Sequence, residues 1–215
     1  MDDFSCVEKF DFLNTESKLP AMADEEPLSF NRLAAALEML GGALADRGLS
    51  YEVVVVGGAA MMLNSASSRT TQDVDAIAIA EGLGTTPRRV HVLPVPLAEA
   101  ARDVAAAMGL EEDWLNVSVG AFVPPLEVED VLPDAASNLY GGLRVTVANR
   151  PNLAKLKLYA AVDEGPGSVH ERDLRDLALA PAEVDLVLQW YLERFKGRED
   201  PNLPTIVARV WGRSL

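Results

Sequence analysis

Cysteine is almost missing from this chain. Cys6 stands alone among 215 residues, so no internal disulfide can form. Histidine is nearly as scarce: His91 and His170 are the only two, and no Cys/His cluster has the spacing of a zinc site. No apolar run approaches the roughly 20 residues that span a bilayer, which predicts no membrane partner. The opening Met-Asp-Asp lacks the basic start and apolar stretch of a secretory signal. Together these absences point to a reducing, cytoplasmic setting. Trp190, Tyr191 and Phe195 share one helical stretch and do not form a platform for stacking bases. No Ser/His/Asp or Cys/His arrangement suits nucleophilic catalysis. Positive charge is also short: 19 Lys and Arg face 33 Asp and Glu, for a net charge of −14. A field of that sign repels nucleic acid. The imbalance is uneven, however. Residues 1–27 hold eight acids against Lys9 and Lys18, whereas from Pro151 onward ten acids face nine bases. A local basic site, and with it a nucleic-acid partner, stays open.

What the chain does have is a core. Apolar residues make up 49% of it, enough for one globular domain with extra helices. Residues 1–27 show no period and read as an acidic, flexible arm. Ser29 caps a helix running to about Arg47, with Leu33, Leu37, Leu40 and Leu44 on one face. The Gly41-Gly42 pair weakens that helix without ending it. Glu52–Val56 is a short β-branched run, read as a strand buried on both sides. Gly57-Gly58 closes it and Ala59–Leu63 is helix-forming. Ser65–Gln72 is polar, and Asp73–Ile79 reads as a second strand. An extended piece is expected near Val90–Val92, and a helix over Leu97–Met108 ending at Gly109. Strands are expected at Val128–Leu132 and Leu143–Val147, with Gly141-Gly142 as the turn between them. Helices follow at Asn152–Val162, Arg172–Leu179, Ala182–Phe195 and Thr205–Trp211, with Pro151, Pro181 and Pro204 where three of them begin. The expected class is α+β: a small mixed sheet over residues 28–150, flanked by helices, with a helical part at 151–215 packed on it.

The stretch from Val53 to Ala80 carries the chemistry. Two glycines after a buried strand let another group approach the backbone, and the helix that follows offers free N–H groups suited to phosphate. A plain strand-to-helix turn is the commoner meaning of such a pair. Asp73 and Asp75, two apart on a strand, point to the same side. Two neighbouring carboxylates repel unless a cation joins them, and Mg²⁺ takes carboxylate oxygens plus substrate phosphates. Two solvated surface aspartates are the ordinary alternative. In combination, strand, Gly-Gly, helix and Asp-X-Asp put a phosphate cradle beside a metal site.

In that order the motif resembles the signature of the DNA polymerase β-like nucleotidyltransferases. Gly57-Gly58-Ala59 followed by Arg69-Thr70-Thr71-Gln72-Asp73-Val74-Asp75 is similar to the AbiEii/MenT-type and related bacterial nucleotidyltransferase domains, many of them toxins of toxin–antitoxin pairs. Fourteen residues separate Gly58 from Asp73, slightly more than is usual there. Downstream, Leu153–Ala160 resembles that family's Leu-Ala-X-X-Lys-Leu helix, with Lys157 as the matching lysine. Arg172-Asp173-Leu174-Arg175-Asp176-Leu177 resembles its Arg-Asp element. The likeness covers roughly residues 30–180. It implies that Asp73 and Asp75 bind Mg²⁺ or Mn²⁺, that Gly57 and Gly58 with Arg69 and Thr70 hold an NTP, and that Lys157 contacts its phosphates with Asp173 beside it. The acceptor it implies is a tRNA or other RNA end, a protein hydroxyl or a small molecule, and an antitoxin protein is an implied partner.

A departure concerns the third carboxylate that such transfer often uses. Related domains carry an acid where this chain has Val117; Glu127, Glu129 and Asp130 lie nearby in sequence, and Asp173 is a further substitute. Two rival readings therefore stand beside transfer: a catalytically silent fold that binds nucleotide or regulates, and an aminoglycoside-type enzyme whose acidic surface suits a cationic substrate. From the residues alone, Lys157 is equally a lysine snorkelling on an exposed helix face, Asp173 is equally a surface partner of Arg172, and Arg69 equally pairs with Asp73. His91 and His170 read as structural or surface residues.

Overall fold

The computed structural model describes residues 27–64, 70–119 and 136–215. Within them lie seven helices and a six-stranded mixed sheet. The elements run α1 (Phe30–Asp46), β1 (Tyr51–Val56), α2 (Gly57–Leu63), β2 (Val74–Glu81), β3 (Arg88–Arg89), α3 (Val95–Met108), β4 (Leu115–Asn116), β5 (Ala136–Tyr140), β6 (Leu143–Val147), α4 (Arg150–Glu164), α5 (Val169–Asp176), α6 (Pro181–Arg194) and α7 (Leu203–Trp211). The expected α+β class holds, with the helical part following the sheet.

Across the sheet the order is β3-β2-β1-β6-β5, and β4 shares with β3 the far edge of β2. β1 runs antiparallel to β2 and parallel to β6. It is central, so it needs apolar side chains on both faces, and Val53 to Val56 are all at most 1% exposed. Each such burial stabilises the fold by roughly 1.5–3 kcal/mol. The register of β2 slips between Val54 and Val55, whose partners are Ala78 and Ala76, leaving Ile77 as an extra residue. A bulge there bends the strand end that carries Asp75.

α1 begins where its cap was expected: the Ser29 hydroxyl accepts from the Arg32 amide at 3.4 Å. Its leucine face is fully buried. Gly41 sits inside it for a reason of contact. The Gly142 amide donates to the Gly41 carbonyl at 2.8 Å, and a Cβ on Gly41 would strike the Tyr140 carbonyl. The glycine that weakens the helix thus lets it dock on the β5–β6 turn. Pro151, Pro181 and Pro204 lie in the first turns of α4, α6 and α7. α4 packs against α2, α5 and α6 and joins the C-terminal helices to the sheet.

Several expectations are corrected. The strand leading into the Gly141-Gly142 turn is Ala136–Tyr140, an exposed edge strand whose sequence has no apolar alternation. Val128–Leu132, like the arm at 1–26, lies outside the described residues. The extended piece near Val90 is instead Arg88–Arg89, held by pairing with Ala78 and Ile79. β2 starts at Val74, so Asp73 precedes the strand. No helix among the described residues is long and apolar enough to cross a membrane.

Candidate active site

β1 ends at Val56 and α2 starts at once with Gly57 and Gly58. Gly57 has φ +71°, in the left-handed region, and a Cβ there would fall inside contact distance of Asp75 Oδ2. Two independent demands therefore select glycine: the backbone turn and the room taken by a carboxylate. Asp75 is placed opposite Val56 by strand pairing. Gly57→Ala is expected to push the Asp75 side chain out of position and to cost about 1–3 kcal/mol from strain alone. Chemical denaturation checks the second effect, and nucleotide binding the first.

Asp73 and Asp75 line one cavity of about 240 Å³ together with Val56, Gly57, Gly58 and Thr71. Its opposite wall is α4. Leu153, Leu156, Lys157 and Ala160 recur at three- and four-residue steps, which puts them on one helix face, and all four line the cavity. Lys157 is therefore an inward residue, 5% exposed, and does not snorkel on an outer face. Its Nζ lies 2.7 Å from Asp173 Oδ2, and Asp173 is fully buried. Asp173 stands behind the lysine as its partner, while the lysine itself forms the wall. Lys155 points elsewhere: its Nζ donates to Asn152 Oδ1 at 2.9 Å and lies 5.9 Å from the centre of the Trp190 ring.

The electrostatics follow from crowding. Burial, reinforced by the neighbouring Asp73 carboxylate and opposed by Lys157, pushes the Asp75 carboxyl up to about 6. The pair thus holds more negative charge than its surroundings neutralise, which is the condition a divalent cation relieves. Among the described residues no third acid or histidine joins them in a metal-binding cluster. Mg²⁺ does not require one, because it is commonly held by one or two carboxylates with substrate phosphates and water. The donor set fits an ion of that kind.

Thr70 is exposed and Thr71 takes the place on the cavity wall. Thr71 is anchored by exchanging two backbone hydrogen bonds with Leu28, and its hydroxyl donates to the Asp73 carbonyl at 3.2 Å. Arg69, Glu127, Glu129 and Asp130 lie outside the described residues. On the far flank of β2 the residue registered beside Asp75 is Asn116, not Val117. Its amide Nδ2 donates to Asp73 Oδ2 at 3.2 Å, and its Oδ1 accepts from the Ser118 amide at 2.9 Å. A neutral amide thus sits beside the Asp73 carboxylate. His170, read from the sequence as a structural or surface residue, also borders the cavity. It lines the cavity from the first turn of α5, and its Nε2 is 3.1 Å from Glu164 Oε1. Its place after a Gly/Pro loop carried no signal, because the helix pairing that turns it inward is tertiary.

A known family matches part of the chain. Residues 31–115 match a nucleotidyltransferase family. The family is described as a nucleotidyltransferase of unknown function (DUF6036). The matched stretch holds β1, the glycine turn and both aspartates, and it ends at β4. No curated protein matches the chain. Among solved structures, an antigenic nucleotidyltransferase-like protein from Paracoccidioides brasiliensis is a distant neighbour at 15% identity. The overlay covers 87% of this chain and 100% of that one, with a TM-score of 0.43.

Proposed function

We propose that the chain is a Mg²⁺-dependent nucleotidyltransferase, with Mn²⁺ as a substitute ion, that moves a nucleoside monophosphate from an NTP to a hydroxyl and releases pyrophosphate. The observation that carries this reading is the shared cavity: two carboxylates, a glycine turn with no room for a side chain, and a buried lysine face one another across it. Asp73 and Asp75 would hold the divalent ion, which when bound activates the attacking oxygen and neutralises the leaving group. The backbone N–H groups at the start of α2 would receive phosphate oxygens. Lys157 would add a fixed positive charge, held in place by Asp173. Asn116 would orient Asp73. The AbiEii/MenT-like motif order supports this reading at a finer level and makes a toxin of a toxin–antitoxin pair the variant to examine first.

The test is transfer of label from each α-labelled NTP, with Mg²⁺ or Mn²⁺, to total RNA including tRNA, to cell protein, or to an aminoglycoside panel. Label moving to one acceptor class, and ceasing to move with Asp75→Ala, supports the proposal and names the acceptor. No transfer to any acceptor contradicts it.

A second reading is favoured by one observation. Asn116 places a neutral amide beside Asp73 where transfer chemistry often uses an acid. Nucleotide would then bind without being transferred, and the chain would act as a binding or regulatory protein. Asn116→Asp separates the two. An added carboxylate is expected to tighten divalent-ion binding by about tenfold through charge alone. If Asn116 is the reason for silence, the variant transfers label when the native chain does not.

A further inference from the structure

We propose that a second cavity, on the β4 side of the aspartates, receives the acceptor, and that the acceptor is a small hydroxyl compound carrying an ammonium group. The proposal rests on the transferase reading of the first cavity. The second cavity, of about 570 Å³, lies between α3, the residues just before it and β4. Small-molecule sites span roughly 300–1,000 Å³, so the size suits a ligand of that class. A single hydrogen bond links the two cavities. Asn116 lines the second, Asp73 lines the first, and the Asn116 amide donates to the Asp73 carboxylate. Strand pairing sets their order. Val56, with the glycine turn after it, flanks Asp75 on one side, and Asn116 flanks it on the other. The aspartates therefore stand between the glycine turn and the second cavity.

Transfer imposes a direction of approach. The acceptor oxygen bonds to the α-phosphorus on the side opposite the leaving oxygen. The bond to pyrophosphate breaks, its electron pair leaves with the pyrophosphate, and the hydroxyl proton passes to water. With the outer phosphates at the glycine turn and Lys157, the acceptor arrives from the other flank of β2, where the second cavity lies. The walls of that cavity select its charge. Glu112 and Asp113, both exposed on the turn between α3 and β4, line it together with Arg102 and His91. Arg102 is already engaged: its Nε donates to the Ala98 carbonyl at 3.4 Å and lies 3.9 Å from Glu112 Oε1. Two acids against one engaged arginine, next to the Asp73 carboxylate, repel a polyanion such as an RNA end and attract an ammonium. Leu93 and Val117, both partly buried, give the body of a small ring compound an apolar surface to rest on.

The experiment gives the full chain each α-labelled NTP with Mg²⁺ and a choice of acceptors. Glucosamine and kanamycin are the amino sugars, glucose and raffinose their neutral counterparts, and total RNA and cell protein complete the set. The expected result is label on the amino sugars and on nothing else. Glu112→Gln combined with Asp113→Asn changes only exposed side chains. It should raise the KM for the amino sugar by about tenfold, the loss expected from two exposed charge pairs. The Kd of an α,β-methylene NTP, measured by calorimetry, should stay where it is in the native chain, which separates a lost acceptor contact from a damaged fold. Neutral sugars labelled as well as amino sugars, or an amino-sugar KM unmoved by the double variant, overturn the proposal. Label on RNA or protein instead overturns it too, and leaves the transferase reading standing. No label on any acceptor overturns the transferase reading itself, and this proposal with it.

Discussion

Replacing Asp75 with asparagine will make the ligand-free protein more stable at pH 7.5 while removing its response to Mg²⁺. The two effects have one cause. The folded chain holds the Asp75 carboxyl at about 6, above its ordinary value of 3.8, because burial and Asp73 disfavour the charged form. The unfolded chain therefore ionises Asp75 more readily than the folded one. Between the two values, stability falls as pH rises, and above about 6 the loss is complete. At pH 7.5 the cost is roughly 2 kcal/mol after allowance for the partial exposure of the group. Asp75→Asn removes it, so the melting temperature should rise by several degrees at pH 7.5, with the gain vanishing below about pH 4. On the proposed reading, Mg²⁺ would offset the same cost in the native chain by pairing with the carboxylates. Adding it should raise the native melting temperature and leave the variant unmoved. Transfer activity should fall by about a thousandfold or more, as is typical when a charge-stabilising group at the reacting centre is lost. Thermal melts with and without Mg²⁺ across pH 4 to 8 check the stability effects. A variant no more stable than the native chain at pH 7.5 contradicts this account of the site.

The second large effect concerns the pair behind the cavity wall. Lys157→Met leaves the Asp173 carboxylate buried and unpaired from its lysine, and Asp173→Asn leaves the Lys157 ammonium in the same position. Each single change should cost about 3–5 kcal/mol. Lys157→Met combined with Asp173→Leu should cost much less than the two costs added, since no buried charge remains. Urea denaturation measures all three. Nucleotide binding separates a structural role from a functional one. A purely structural pair would recover binding in the double variant along with stability, whereas a lysine that holds phosphate would not.

Much of this was legible in the sequence because it is local. The Val53–Val56 run, the turn at Gly57 and the two-residue step from Asp73 to Asp75 lie within one short stretch, and period and residue type suffice to read them. The helix starts were marked by Ser29, Pro151, Pro181 and Pro204. What stayed hidden depends on pairing between distant segments. The strand Ala136–Tyr140 exists because β6 offers it a ladder, and its exposed sequence carries no sign of it. Asn116 meets Asp73 across 43 residues, through a two-residue strand no pattern reveals. Lys157 looked as much like a surface lysine as a buried one, because its side is decided by where α4 docks. His170 reaches the cavity wall for the same reason: only once α5 folds back along α4 does its residue line that space.

The central claim is that Asp73, Asp75, Gly57-Gly58 and Lys157 form a single site for a divalent ion and a nucleoside triphosphate. A crystal structure with Mn²⁺ and an α,β-methylene nucleoside triphosphate tests it most directly. The account predicts an anomalous manganese peak bridging Asp73 and Asp75, with the triphosphate running from the start of α2 toward Lys157. An ion bound elsewhere, or a triphosphate seated away from the glycine turn, would contradict it.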